Sequence, residues 1–343
     1  MKVHDNTLYV TTQTAYLACQ GTNVLVRIDK QVRLRLPIHT IGGIVCFGNV
    51  GCSPFLMGLC GKQGVSITFL TMNGRFLARV NGPQSGNVLL RRAQHRATSD
   101  PASAAGAARV IVSAKIANSR TVLQRLLRDH GDRLDINPIQ RVAHRLGSLL
   151  QELQQPLDLE RVRGVEGEAA AQYFAVFDHL ILSEKQAFFF RERSRRPPCD
   201  NMNALLSFLY ALITTDATSA CESVGLDPQM GFLHADRPGR PSLALDLVEE
   251  FRSVIADRLA LSLVNRQQVA TSGFTKRESG AVEMSDETRK AVLTAYQKRK
   301  EEEIVHPFLK EKMTIGLLFQ IQARLMARWL RGDLDNYPAF FWR

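Results

Sequence analysis

A chain of 343 residues with 45% hydrophobic composition is long enough for two ordinary domains, each with its own core, so disorder does not dominate it. Its formal net charge of +11, from 44 Lys and Arg against 33 Asp and Glu, favours a polyanionic partner such as nucleic acid, or less often a membrane surface. Six cysteines without a CxxC pair argue for a reducing compartment and against zinc-finger chemistry. The N-terminus lacks the apolar stretch of a signal peptide, and no run approaches the roughly 18 apolar residues of a span, so a cytoplasmic location without membrane contact is expected.

From Thr7 to Val80 short apolar runs alternate with period two: TLYVTT, VLVRI, VRLRLPI, IGGIVCF, VSITFL and FLARV. This predicts a small, sandwich-like β domain over residues 1–80, in which Val32, Leu34 and Leu36 face the core and Arg33 and Arg35 face away. Asn73-Gly74 signals a type I′ hairpin, and Ser53-Pro54 opens a short helix that ends near Gly61 or Gly64. The segment is also basic, with eight basic and two acidic residues, 8 − 2 = +6.

Residues 81–87, NGPQSGN, are dense in turn formers and read as a linker. Beyond it the period becomes helical, which predicts a larger, all-helical domain over 88–343. Its helices run from Val88 to about His95, Ala102 to His130, Asn137 to Leu153, Glu166 to Leu182, Asn203 to Cys221, Ser242 to Leu263, Asp286 to Glu303 and Lys312 to Leu330. The whole is therefore an α+β chain. Residues 266–284 read as a hairpin inserted between helices. The block Lys298–Glu303, KRKEEE, reads as a solvated helix face with i,i+4 pairs. The tail GDLDNYPAFFWR leaves open whether its aromatics pack on the body or dock on a partner.

The chemistry concentrates in Gly231–Arg252, GFLHADRPGRPSLALDLVEEFR. His234 precedes Asp246 by twelve residues and Glu249 by fifteen. With Ser242 as N-cap, Asp246 and Glu249 fall at i and i+3 on one helical face, where carboxylates repel unless a cation stands between them. Upstream, RGVEGEAAAQYF places Glu166 among small residues that let another helix approach. Glu166 and Glu168 either complement a helix N-terminus, or Glu166 joins His234 and Glu249 as a third ligand. One imidazole and two carboxylates suit Mn²⁺ or Mg²⁺ with positions left for phosphate oxygens. Asp246 stays open between a supporting carboxylate, an occasional ligand and a surface charge. Arg237 and Arg240 follow His234 closely enough to meet a metal-held phosphate. Arg191, Arg193, Arg195 and Arg196, crowded ahead of two prolines, form either a solvated loop or a phosphate-contacting arm. The absence of HExxH, GxSxG and GxxxxGK[ST] disfavours zincin proteases, serine hydrolases and the usual ATPases.

RGVEGEAAAQYF, RRPPCDNMNALLSFLYALI and GFLHADRPGRPSLALDLVEEF, in that order, resemble the CRISPR-associated integrases of spacer acquisition, the Cas-one family. The length and N-terminal pattern look most like members from type I-C systems. The resemblance implies that Glu166, His234 and Glu249 bind a catalytic Mg²⁺ or Mn²⁺. It also implies a homodimer, two of which flank a small ferredoxin-like Cas-two subunit to hold a prespacer duplex. The complex joins prespacer 3′-hydroxyls to the CRISPR repeat. A non-catalytic DNA-binding scaffold and a metal-dependent ribonuclease are the competing readings.

Overall fold

The structure, a computed structural model, describes residues 7–80, 82, 88–131 and 135–342. The chain divides into two compact units, Met1–Asn87 and Val88–Arg343. Of the expected linker, residues 81 and 83–87 lie outside the described residues.

The first unit holds β1 (Thr7–Val10), β2 (Tyr16–Gln20), β3 (Asn23–Ile28), β4 (Gln31–Pro37), β5 (Gly43–Phe47), β6 (Gly51–Cys52), α1 (Pro54–Gln63), β7 (Ser66–Leu70) and β8 (Phe76–Val80). They form two four-stranded sheets, β1-β5-β7-β8 and β4-β3-β2-β6. Parallel pairs β1·β5, β5·β7 and β2·β6 sit beside antiparallel pairs β7·β8, β2·β3 and β3·β4. One core joins both sheets and α1, through Leu17, Val24 and Val26 on one side, Ile44, Cys46 and Ile67 on the other, and Leu56 and Cys60 from the helix. The helix begins where expected: Ser53 accepts from the Leu56 N–H at 3.2 Å, Pro54 needs no donor, and Gly64 closes the end at φ +70°.

Three expectations for this unit need correction. Strands β2 and β6 were absent from the sequence reading. Val32 and Leu34 do not face the core; they are 46% and 40% exposed, because β4 is an edge strand and the core closes over β2 and β3 before reaching it. The β7–β8 turn is not type I′. Gly74 N–H donates to Thr71 O at 2.9 Å and Gly74 alone takes positive φ, +81°, so the turn is a type I with a glycine bulge.

The second unit is mainly helical: α2 (Val88–Ser99), α3 (Pro101–His130), α4 (Ile136–Glu152), α5 (Leu159–Ala175), α6 (Asn201–Val224), α7 (Ser242–Glu249), α8 (Arg258–Asn265), α9 (Asp286–Glu301) and α10 (Leu318–Leu330). It is not wholly helical. The expected inserted hairpin is β9 (Phe274–Lys276) with β10 (Val282–Met284), and a second, unforeseen one pairs β11 (Glu303–Val305) with β12 (Lys312–Thr314). The long α3 packs against α4, α5 and α7, which brings one lysine-bearing face of it between the helices that carry Glu166 and Glu249. The helix expected over 242–263 is interrupted by a π-helical turn at Arg252–Asp257. Such turns cluster at functional sites.

By length and composition α6 could cross a membrane, contrary to the reading of the sequence, but 61% of its apolar window is buried inside this unit. Leu205, Leu206, Leu209 and Leu212 sit in the core, so α6 is a core helix. The KRKEEE block is a solvated face only in part: Lys298, Glu301, Glu302 and Glu303 are exposed, but the two residues between are not. Lys300 is buried and pairs with Asp216 at 2.9 Å, and Arg299 pairs with Glu302 while lying over the Trp342 ring. The aromatic tail packs on the body. Tyr337 hydroxyl donates to Glu250 Oε1 at 2.5 Å, Phe340 N–H to Glu250 Oε2 at 2.7 Å, and Trp342 N–H to Asn118 Oδ1 at 2.7 Å. All six cysteines are free thiols.

Candidate metal centre

The site starts with Asp246. Its carboxylate, fully buried on α7, receives three backbone N–H groups from the preceding loop: Phe232 at 2.5 Å and Leu233 at 3.0 Å on Oδ2, and His234 at 3.0 Å on Oδ1. The same Oδ1 lies 2.6 Å from His234 Nδ1. The acceptor oxygen at Nδ1 fixes the imidazole with its proton on that nitrogen, leaving the Nε2 lone pair free to ligate. The sequence left Asp246 open; its geometry is that of a residue that orients the histidine.

The loop can close this tightly because residue 231 is glycine. A Cβ there would stand 2.7 Å from the Ser242 carbonyl carbon and 2.8 Å from Asp246 Oδ2. Ser242 is not the N-cap, which falls at Pro241; its hydroxyl instead donates to Ala235 O at 3.2 Å and ties the loop to the helix start. Arg163, on α5, donates from Nε to Leu233 O at 2.8 Å, so the helix bearing Glu166 also grips the loop bearing His234.

Helix α5 begins at Leu159, capped by Asp158, which accepts from the Arg161 N–H at 2.8 Å. Glu166 therefore lies two turns inside the helix, and the reading of it as a complement to a helix N-terminus fails. Glu168 turns outward and pairs with Arg145 at 2.6 Å.

Glu249 is 1% exposed. Its Oε1 meets Arg252 Nη1 at 2.8 Å and lies 3.7 Å from His234 Nε2; its Oε2 is 2.8 Å from Lys115 Nζ. Burial opposes its charge, but Arg252 and Lys115 outweigh that cost and hold the carboxyl down to about 2. Lys115 also contacts Glu166 Oε1. A single ammonium thus stands between the two predicted carboxylate ligands, with the ligating end of His234 beside one of them.

Sequence reasoning missed Lys115. The signal was present: it falls on the buried stripe of α3 formed by Ala104, Ala108, Ile111 and Asn118, where an uncompensated lysine is costly. Burial works against the Lys115 charge, but Glu249 and Glu166 prevail and raise its pKa above the ordinary lysine value.

Among the described residues no three His, Cys, Asp or Glu side chains stand ready around one ion. The donor set nevertheless fits a divalent cation. Two carboxylates converge on one cationic atom, and an imidazole locked in the ligating tautomer lies within 3.7 Å of the buried one.

The arginines sort into two groups. Arg191, Arg195, Arg196 and Arg237 are exposed, and Arg240 is half-buried. Burial lowers the pKa of Arg240, and the fields of Arg237, Arg252 and Arg195 lower it further, so the post-His234 loop and the Arg191–Arg196 segment share one basic neighbourhood. Arg193 is not part of an exposed arm. Its Nη1 donates to Asn203 Oδ1 at 2.6 Å, its Nη2 to Ser207 Oγ at 3.0 Å, and its guanidinium lies over the Tyr210 ring at 5.1 Å.

Comparison with known proteins identifies the family. The family model described as CRISPR associated protein Cas1 matches residues 8–298. A Chlorobaculum tepidum protein named CRISPR-associated endonuclease Cas1 1 is 54% identical over 343 residues, covering 100% of both chains. Its Rhodospirillum rubrum counterpart, CRISPR-associated endonuclease Cas1 2, is 50% identical over 350 residues, again covering 100% of both. Among solved structures, the Cas1 protein TM1797 from Thermotoga maritima superposes with a TM-score of 0.82 at 22% identity, covering 98% of this chain and 100% of its own. A casposase bound to integration product gives 0.82 at 22% identity, covering 97% and 94%. The sequence match over most of the chain, joined to the shared fold, places this protein in the Cas1 family.

Proposed function

We propose that the chain is a metal-dependent DNA endonuclease and integrase of CRISPR spacer acquisition, in which Glu166, His234 and Glu249 hold one Mg²⁺ or Mn²⁺. The observation that carries this reading is the convergence of both carboxylates on Lys115 Nζ beside His234 Nε2. Relatives named endonucleases, 54% and 50% identical over the full chain, support the activity class.

When bound, the divalent ion supplies Lewis-acid stabilisation of the charge on the scissile phosphate and acidifies the attacking hydroxyl. The chain's own residues prepare that chemistry. Asp246 keeps the proton on His234 Nδ1, so Nε2 stays a ligand. Arg252 and Lys115 keep Glu249 anionic down to about pH 2. Arg237 and Arg240 neutralise phosphate charge as the in-line transition state forms, and Arg191, Arg195 and Arg196 contact neighbouring phosphates. In strand transfer the nucleophile is a DNA 3′-hydroxyl. A new P–O bond forms to that oxygen, the repeat P–O bond breaks, and the proton passes from the attacking to the leaving oxygen through solvent. No protein nucleophile is required, consistent with the absence of one among these residues.

The working assembly is a homodimer of this chain with a small Cas2 subunit, a prespacer duplex and the repeat, acting in the cytoplasm; type I-C is the system its length and N-terminal pattern fit. A solved Cas6-RT-Cas1--Cas2 complex contains a chain of which 36% shares this fold, with a TM-score of 0.81 at 21% identity. The test is joining of a short duplex to a supercoiled plasmid carrying the repeat, with Mn²⁺ or Mg²⁺ and the Cas2 subunit. Products that form in metal and vanish in EDTA are expected. DNA binding with no metal-dependent product would favour the scaffold, and cleavage of RNA without joining of DNA would favour the ribonuclease.

A further inference from the structure

The loop that brings His234 to the carboxylates leaves α6 at Gly225, which closes that helix at φ +85°, and runs without regular structure to the start of α7. Its backbone N–H and C=O groups must therefore find partners outside any helix or sheet. Asp246 takes the N–H groups of Phe232, Leu233 and His234. The first half of the loop is held from a different helix, by Gln94 on α2.

Gln94 is fully buried. Its Nε2 donates to Asp227 O at 2.7 Å and to Met230 O at 2.8 Å, and its Oε1 accepts from the Asp227 N–H at 2.9 Å. Both amide hydrogens are committed, and two carbonyls and one N–H fix which way the amide points. A buried side chain needed only for packing would be apolar, because an amide there is costly unless its bonds are made. All three of these bonds go to the backbone of the loop.

Two of their consequences reach the metal centre. Met230 O is held one residue before Gly231, where the chain passes too close to Ser242 and Asp246 to admit a Cβ. Pro228 follows the Asp227 that Gln94 grips at both N–H and C=O, and its carbonyl accepts from the Leu243 N–H at 2.9 Å and the Ala244 N–H at 3.4 Å. These are orphan donors of the first turn of α7, a helix with no side-chain cap. One amide thus supports both the approach to His234 and the start of the helix that carries Glu249.

We propose that Gln94 is a positioning residue of the divalent-cation centre, which sets from α2 where His234 and α7 stand. The inference rests on the reading of His234 and Glu249 as metal ligands. Side chains that orient a ligand without touching the metal change its affinity by about 10–100-fold when removed.

The test compares Q94M, which keeps the length and apolar volume but makes none of the three bonds, with L90A, which removes buried packing one turn earlier on the same helix. Mn²⁺ affinity of the full chain is read by electron paramagnetic resonance, Tm by calorimetry, and loop position in the metal-free chain by fluorine NMR of incorporated fluorotryptophan. The chain has two tryptophans: the Trp329 ring lies 5.4 Å from that of Phe232 in the loop, and Trp342 in the tail is the reference. Q94M should bind Mn²⁺ about tenfold more weakly and shift the Trp329 signal while leaving that of Trp342 in place. L90A should lower Tm at least as much yet keep Mn²⁺ affinity within about threefold. If Q94M fails to fold, Q94N, whose amide is one methylene too short to reach both carbonyls, carries the same expectation. Mn²⁺ binding within about twofold of wild type in the folded variant would overturn the proposal. So would an equal loss of affinity in L90A, because the packing of α2 would then account for it. Wild type that binds no Mn²⁺ would defeat the metal reading instead, whereas a metal-free Trp329 signal left unshifted in Q94M would defeat this one.

Discussion

Replacing Asp246 by asparagine keeps the shape of the side chain and changes one oxygen into an NH₂ group. Asp246 accepts four hydrogen bonds, two on each oxygen, from the N–H groups of Phe232, Leu233 and His234 and from His234 Nδ1. In whichever orientation the amide settles, its NH₂ faces two donors. Two charge-assisted bonds are lost and donors are left opposed in a site with no exposure. At about 1–3 kcal/mol for each of the two buried donors left unsatisfied, the loss is about 2–6 kcal/mol. In a unit of this size, at about 2–4 °C per kcal/mol, that lowers Tm by roughly 4–24 °C. His234 also loses the partner that fixes its tautomer, which costs about 10–100-fold in metal affinity or activity. Differential scanning calorimetry and Mn²⁺ titration of D246N measure the two effects separately. A variant within about 1 °C of wild type that binds Mn²⁺ within twofold would refute the account of Asp246 as the residue that builds the loop.

Other substitutions probe the remaining supports. In G231A a new Cβ meets Ser242 backbone and Asp246 at 2.7–2.8 Å, contacts that cannot yield without opening the loop. Strand transfer should fall at least tenfold with a stability loss of about 1–3 kcal/mol, and unchanged kinetics would show that the loop has slack. Truncation after residue 332 removes the Tyr337 and Phe340 donors from Glu250 and the Trp342 contact with Asn118. It should lower Tm by several degrees, and a stable, fully active truncation would mean that the tail is no brace for α7. Burial pushes Asp257 from 3.8 up to about 6, so the folded chain holds a proton in that interval that the unfolded chain has released. Its contribution to stability is therefore full below about pH 4 and falls as pH rises towards about 6, by about 3 kcal/mol at most, and then levels off. D257N, which still accepts from Tyr210, should lack this fall, and parallel Tm profiles for D257N and wild type would contradict the assignment.

Much of this site was legible because it is local. His234, Asp246 and Glu249 lie within one loop and one helix, and the spacing alone places the acids on a shared face. Glu166 could be singled out, but the helix expected to start there starts earlier: the Asp158 cap begins α5 at Leu159, and Gly164 and Gly167 lie in its interior. Lys115 and Arg252 escaped notice because their importance comes from tertiary pairing, which periodicity does not encode. The π-helical turn is likewise invisible to a 3.6-residue period. In the β unit the misses have a common cause. Strand β2 reads YLACQ, too mixed to alternate, and pairs with the adjacent β3; β6 is only GC, too short to alternate, and is held by β2, distant in sequence. Strand β4 alternates well yet sits at an edge, so alternation correctly marked a strand and wrongly implied that one face was covered.

The central claim is that Glu166, His234 and Glu249 form one divalent-cation site, and equilibrium Mn²⁺ binding, followed by electron paramagnetic resonance, tests it most directly. Wild type should bind one Mn²⁺ per chain, and E166Q, H234A and E249Q should each reduce that affinity at least tenfold; E166Q and H234A should melt within a few degrees of wild type, and E249Q lower, because Lys115 and Arg252 lose their buried partner. Wild-type Mn²⁺ affinity retained in all three folded variants would contradict the account.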